Sequence, residues 1–188
     1  MKVLILGLGN PLLTDDQVGL LVSREVARRL QSDPAWSRPI HEQSLDRGVL
    51  SFERSVGRAL VLVEVDEECC GGLRLMERMV GYDFVVLIDA IYPATLPGKV
   101  HRLGIHDLPT QRTAGTHDAQ LATALQVGKL AGYSLPNDQD IVVVGIEAQE
   151  VLTFGEECTP AVAEAVPQAA DLVVDILGQV LASLGGAS

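Results

Sequence analysis

Short blocks of consecutive apolar residues alternate along this chain with segments whose apolar residues recur every three to four positions. Residues 1–6 form the first block and, having no polar alternation, predict a buried strand. It runs into Gly7-Leu8-Gly9-Asn10-Pro11-Leu12-Leu13-Thr14-Asp15-Asp16, a glycine turn with two carboxylates where a helix should begin. Over residues 18–30, Val18, Leu21, Val22, Val26 and Leu30 share one helical face, with Arg24, Arg28 and Arg29 on the other. The cationic last turn suits the negative end of the helix dipole. Residues 32–39 read as a connection, and residues 48–56 are expected as a short helix carrying Leu50, Phe52 and Val56. Residues 60–65, 84–88, 99–103 and 141–146 are predicted strands, the 99–103 segment near an edge. Residues 73–80 and 117–131 read as helices. A last helix opens at Thr159-Pro160, the threonine as cap and the proline at the first helical position.

This order predicts an α/β fold: a three-layer sandwich whose mostly parallel twisted sheet of about five strands carries helices on both faces. One α/β domain is expected over residues 1–188. Open sheets of this kind bind ligands beyond the carboxyl ends of their strands. Four polar groups fall there: Gly7 to Asp16, the acidic cluster Glu64, Asp66, Glu67 and Glu68, then Asp89, then Glu147.

Composition narrows the classes. Of 188 residues 47% are hydrophobic and only 4% aromatic, which fits a buried parallel sheet. A net charge of −11 disfavours nucleic acid, because phosphate binding needs a basic surface. Three cysteines cannot all pair with one another, and Cys69 and Cys70 are adjacent. The N-terminus reads as a strand rather than a leader, and no apolar run is expected to be long enough to span a bilayer. A cytoplasmic protein with no membrane partner is expected, as a monomer.

Singly, each candidate residue has an ordinary explanation. Asp89 at a strand end often only caps a loop, Asp16 would serve as a helix cap, and His117 opens a helix where histidines are more often exposed than ligating. Together Asp16, Asp89 and His117 offer two carboxylates and one imidazole converging at a sheet edge. That set suits a divalent transition metal with open coordination positions. His41, His101 and His106 have no comparable setting. Other chemistries rank lower: a dinucleotide fingerprint lacks its third glycine, no Gly-x-Ser-x-Gly elbow is present, and Cys69-Cys70 is not a C-x-x-C pair.

The stretch from Gly7 to Asp16 with Val18-Gly19, then Ile88-Asp89-Ala90, Thr116-His117, Gly145-Ile146-Glu147, Leu152-Thr153 and Thr159-Pro160, resembles the hydrogenase maturation endopeptidases in the family's order. The resemblance implies a protease that removes a short C-terminal extension from a nickel-iron hydrogenase large-subunit precursor after nickel insertion. It further implies Asp16, Asp89 and His117 as metal ligands and catalytic residues, with the nickel supplied by the precursor. The sequence departs from the family at Gln17 and after the second strand, where Asp66-Glu67-Glu68-Cys69-Cys70-Gly71-Gly72 replaces Asp-Gly-Gly-Thr. The family's aspartate there is matched by either Asp66 or Glu67. Two other readings remain. One is a non-catalytic, chaperone-like module that senses a partner's metal. The other is peptidyl-tRNA hydrolase, whose glycine turn is similar but is followed by residues this chain lacks.

Overall fold

The computed structural model describes residues 1–38, 48–107 and 118–185. The apolar blocks form β1 (Lys2–Leu8), β3 (Ala59–Glu68), β4 (Phe84–Ile91), β5 (Val100–Gly104) and β6 (Ile141–Glu147), and a further strand, β2 (Leu50–Val56), joins them. The helices are α1 (Val18–Ser32), α2 (Gly72–Arg78), α3 (Asp118–Leu130) and α4 (Pro160–Gly185). Among the described residues the sheet has six strands in the order β2-β3-β1-β4-β6-β5, one more than the five expected. The four central strands are parallel, whereas β2 and β5 run antiparallel along the two edges.

The extra strand is the segment expected as a helix. Leu50, Phe52 and Val56 are spaced by even numbers, which is a strand period that short apolar spacing alone does not separate from a helix. The hairpin turn to β3 uses Gly57 at φ +58°, and Phe52, 1% exposed, packs into the core opposite Val63. Burying a phenylalanine contributes roughly 1.5–3 kcal/mol, more than the weak helix preference of seven residues.

Strand alternation divides the core in two. Val3, Ile5, Val63, Val86, Ile88 and Val144 face α1 and α4, while Leu4, Leu6, Val85, Leu87 and Val143 face α2 and α3. That places helices on both faces of the sheet. Arg29 does more than complement a helix dipole: it bonds the Asp171 carboxylate at 2.5 Å and the Pro167 carbonyl at 3.1 Å, joining α1 to α4. By length and composition the 26-residue α4 is apolar enough to cross a bilayer, an 18-residue window of it having a mean hydropathy of 1.3, which departs from the expectation that no run would be. Here its apolar positions, Val162, Ala169, Val173, Ile176 and Leu177 among them, are buried in the core.

Candidate active site

Because β1, β3, β4 and β6 are parallel, the ends predicted to carry polar groups do share one edge of the sheet. The glycine turn leaves β1 there under tight steric control. A Cβ on Gly9, at φ +148°, would lie 2.0 Å from the Asp16 carbonyl oxygen, so only glycine lets the turn fold back on Asp16. A Cβ on Gly19 would meet the carbonyls of Leu8 at 2.2 Å and Ile88 at 2.4 Å. The first turn of α1 thus rests directly on the ends of two neighbouring strands, β1 and β4. This packing brings the segment carrying Asp16 against the segment carrying Asp89.

Asp16 is half-buried, and its Oδ2 accepts the Asn10 N–H at 2.8 Å, which holds the carboxylate inside its own turn. Asp89 is 8% exposed, and its Oδ1 accepts the Ala90 N–H at 2.8 Å. His117 lies outside the described residues; the described part of α3 starts at the next residue, Asp118. The structure therefore brings two of the three candidate residues to one edge.

Neither aspartate caps α1 with its side chain: the N-cap position is Gln17, which makes no side-chain cap bond. Asp15 instead acts across the fold. Its side chain is fully buried, and Oδ2 accepts the N–H groups of Gln149 at 3.0 Å and Glu150 at 2.9 Å. Oδ1 accepts the Thr159 N–H at 2.7 Å and its hydroxyl at 3.0 Å. Thr159 does occupy the start of α4, its carbonyl accepting from Val162 and Ala163, but its hydroxyl serves Asp15 rather than the helix amides. Thr14 and Asp15 also donate backbone N–H groups to Thr153 and Glu150, and Gly155 donates to Leu12. The loop before Asp16 is thereby fastened to the loop before α4, with Leu12, Leu152 and Phe154 left exposed on the pair. Nothing local to Asp15 in the sequence announces a partner 144 residues away.

Two further polar groups depart from expectation. The acidic cluster does not follow its strand but lies within it, since β3 continues to Glu68. Alternation sends Asp66 to Arg78 on α2 and Glu67 to Arg24 on α1, the latter as a two-point pair at 2.7 and 2.8 Å. Glu147, for its part, is turned onto its own neighbours. Its carboxylate accepts the N–H groups of Thr95 and Leu96, both at 2.5 Å, and bonds His101 Nε2 at 2.8 Å, so His101 has a defined setting after all. Burial works to raise the Glu147 carboxyl, but the Leu96 amide, the His101 ring and the Thr95 amide outweigh it and hold it below the usual carboxylate range. A lowered carboxyl contributes stability that is fully present above its unfolded value and is lost as pH falls through the folded one. Glu147→Gln should therefore melt below the parent at neutral pH, and the gap should close as pH drops below about 4. Thermal melts across that range check it, and a gap that widens in acid would refute the assignment.

Comparison with known proteins decides the family. The profile of the hydrogenase maturation protease family (HycI) matches residues 63–176, more than half of the chain. The chain belongs to this family. It is an endopeptidase of hydrogenase maturation, the class that removes the C-terminal extension of the hydrogenase large subunit. The hydrogenase expression/formation protein HupD of Thiocapsa roseopersicina is 21% identical over 178 residues, spanning 95% of this chain and 68% of that protein. The fold is similar to the hydrogenase maturating endopeptidase HybD from E. coli, with a TM-score of 0.63, 21% identity and coverage of 96% of this chain and 94% of that one. It is also similar to the [NiFe] hydrogenase maturation protease HybD from Thermococcus kodakarensis, with a TM-score of 0.59, 23% identity and coverage of 94% and 99%. Family membership removes peptidyl-tRNA hydrolase from consideration.

Proposed function

We propose that Asp16, Asp89 and His117 complete the coordination of nickel already seated in a nickel-iron hydrogenase large-subunit precursor, and that this contact triggers cleavage of the C-terminal extension. The observation that carries the reading is the seat of Gly19 on the Leu8 and Ile88 carbonyls, which sets the Asp16 and Asp89 segments at the adjoining ends of β1 and β4. Two carboxylates and an imidazole suit a borderline divalent ion and leave positions for the precursor's own donors. The substrate's metal would polarise the scissile carbonyl or activate a water. Water then adds to the carbonyl carbon, the C–N bond breaks, and the departing amine takes a proton. Tying the reaction to a metal that only the nickel-loaded precursor carries gives the protease its selectivity.

The same reading places the enzyme in the cytoplasm as a monomer. Cys69, Cys70 and Cys158 are free thiols, which a reducing compartment preserves. Incubation with nickel-loaded and nickel-free precursor, followed by intact-mass measurement, tests the coupling. Only the loaded precursor should lose the mass of its extension. Equal shortening of both forms would sink nickel sensing, and shortening of neither would favour a non-catalytic chaperone-like module.

A further inference from the structure

The end of β3 and the two residues that follow it, where the chain departs from the family pattern, hold a second cluster of metal-ligating groups. Glu68, Cys69 and Cys70 each offer one donor atom, and these atoms lie within 4.8 Å of one another. The two thiol sulfurs are 3.9 Å apart. Two sulfurs on one tetrahedral ion at about 2.3 Å each stand about 3.8 Å apart, so the pair already has the spacing of a chelate. Glu68 is fixed in place: its Oε1 accepts the N–H groups of Cys69 at 3.0 Å and Cys70 at 3.2 Å. Its Oε2 lies 3.9 Å from both Arg74 and Arg78. The charge balance suits a dication. Two thiolates and a carboxylate carry three negative charges, and of the two nearby guanidiniums Arg78 is engaged by Asp66.

We infer that Glu68, Cys69 and Cys70 form a binding site for a thiophilic divalent cation of the zinc class, built from residues other than the proposed nickel ligands. The site shares the sheet edge of Asp16 and Asp89, since the Gly9 N–H donates to the Glu68 carbonyl at 3.2 Å and joins β3 to the glycine turn. Three protein donors leave one tetrahedral position open, as in sites that take a further ligand from water or a bound partner. Cys69 is exposed and Cys70 partly so, and an ion therefore has direct access. Binding releases the thiol protons to solvent, and no electron transfer is needed. This inference is independent of the protease reading.

Cadmium titration of the fully reduced full-length protein tests it, with the sulfur-to-cadmium charge-transfer absorption in the ultraviolet as readout. The parent should saturate at one equivalent, and added zinc should displace the signal. Loss of an outer-shell partner alone weakens metal binding by about 10–100-fold, so Cys69→Ser or Cys70→Ser, which removes a ligand, should cost at least about tenfold. The double variant should show no band, and Glu68→Gln should weaken binding. Cys158→Ser should keep the band, because burial and the nearby Asp15 push the Cys158 thiol up to about 11 and keep it protonated. Asp16→Asn should keep it too. A parent with no charge-transfer band, or a band that survives in the Cys69→Ser/Cys70→Ser double variant, overturns the site.

Discussion

Asp16→Asn is expected to cut processing of a nickel-loaded precursor by at least about a hundredfold while leaving the melting temperature close to that of the parent. The two halves of this expectation have separate causes. The Asn side chain keeps an oxygen to accept the Asn10 N–H, now 2.8 Å from Asp16 Oδ2, so this bond within the glycine turn is retained. What disappears is the negative charge that would ligate the substrate's metal. His117→Ala is expected to show the same split, a folded protein without processing. Rates from intact-mass time courses, set beside melts of each variant, provide the check. An Asp16→Asn enzyme that processes within tenfold of the parent would remove Asp16 from the proposed ligand set.

Asp15→Ala is expected to have the opposite profile, a loss of stability that drags activity with it. The substitution strips four donors of one shared carboxylate: the N–H groups of Gln149, Glu150 and Thr159 and the Thr159 hydroxyl. A buried donor left without a partner costs about 1–3 kcal/mol, and some of these four would recover a water, so a total of roughly 3–5 kcal/mol is expected. For a chain of this size that corresponds to a fall of roughly 6–20 °C in melting temperature. Asp15→Asn should be milder, because one acceptor oxygen remains. A fall of less than about 2 °C for Asp15→Ala would show that the clamp contributes little. The pair of neighbouring aspartates thus separates cleanly: one should fail by activity alone, the other by folding.

That division was only half legible beforehand. The resemblance makes Asp16 the chemical member, which leaves Asp15, at the start of a helix, the ordinary role of a cap on the helix that follows. The fold uses Asp15 on the helix at the far end of the chain, because the loop before α1 and the loop before α4 meet at the same sheet edge. Long-range pairing of this kind leaves no periodic trace. The ion pairs of Asp66 with Arg78 and Glu67 with Arg24 are likewise decided by which face each strand position presents. Once β3 is known to extend through Glu68, those faces follow; with a strand ending at Val65 they do not.

What the sequence by itself determined is the layered α/β architecture, the four central strands, α1, α2 and α3 nearly to their described ends, and the family. Those rest on uninterrupted apolar blocks and on helical spacing, signals carried by neighbours along the chain. Tertiary structure alone decided the strand at residues 50–56, whose three even-spaced apolar residues satisfy either period until Phe52 finds the core. It also decided the turning of Glu147 onto His101 and the 95–96 amides. The physical reason is common to both. A buried polar or ambiguous residue settles by the partners that other strands and loops bring to it, and those partners are distant in sequence.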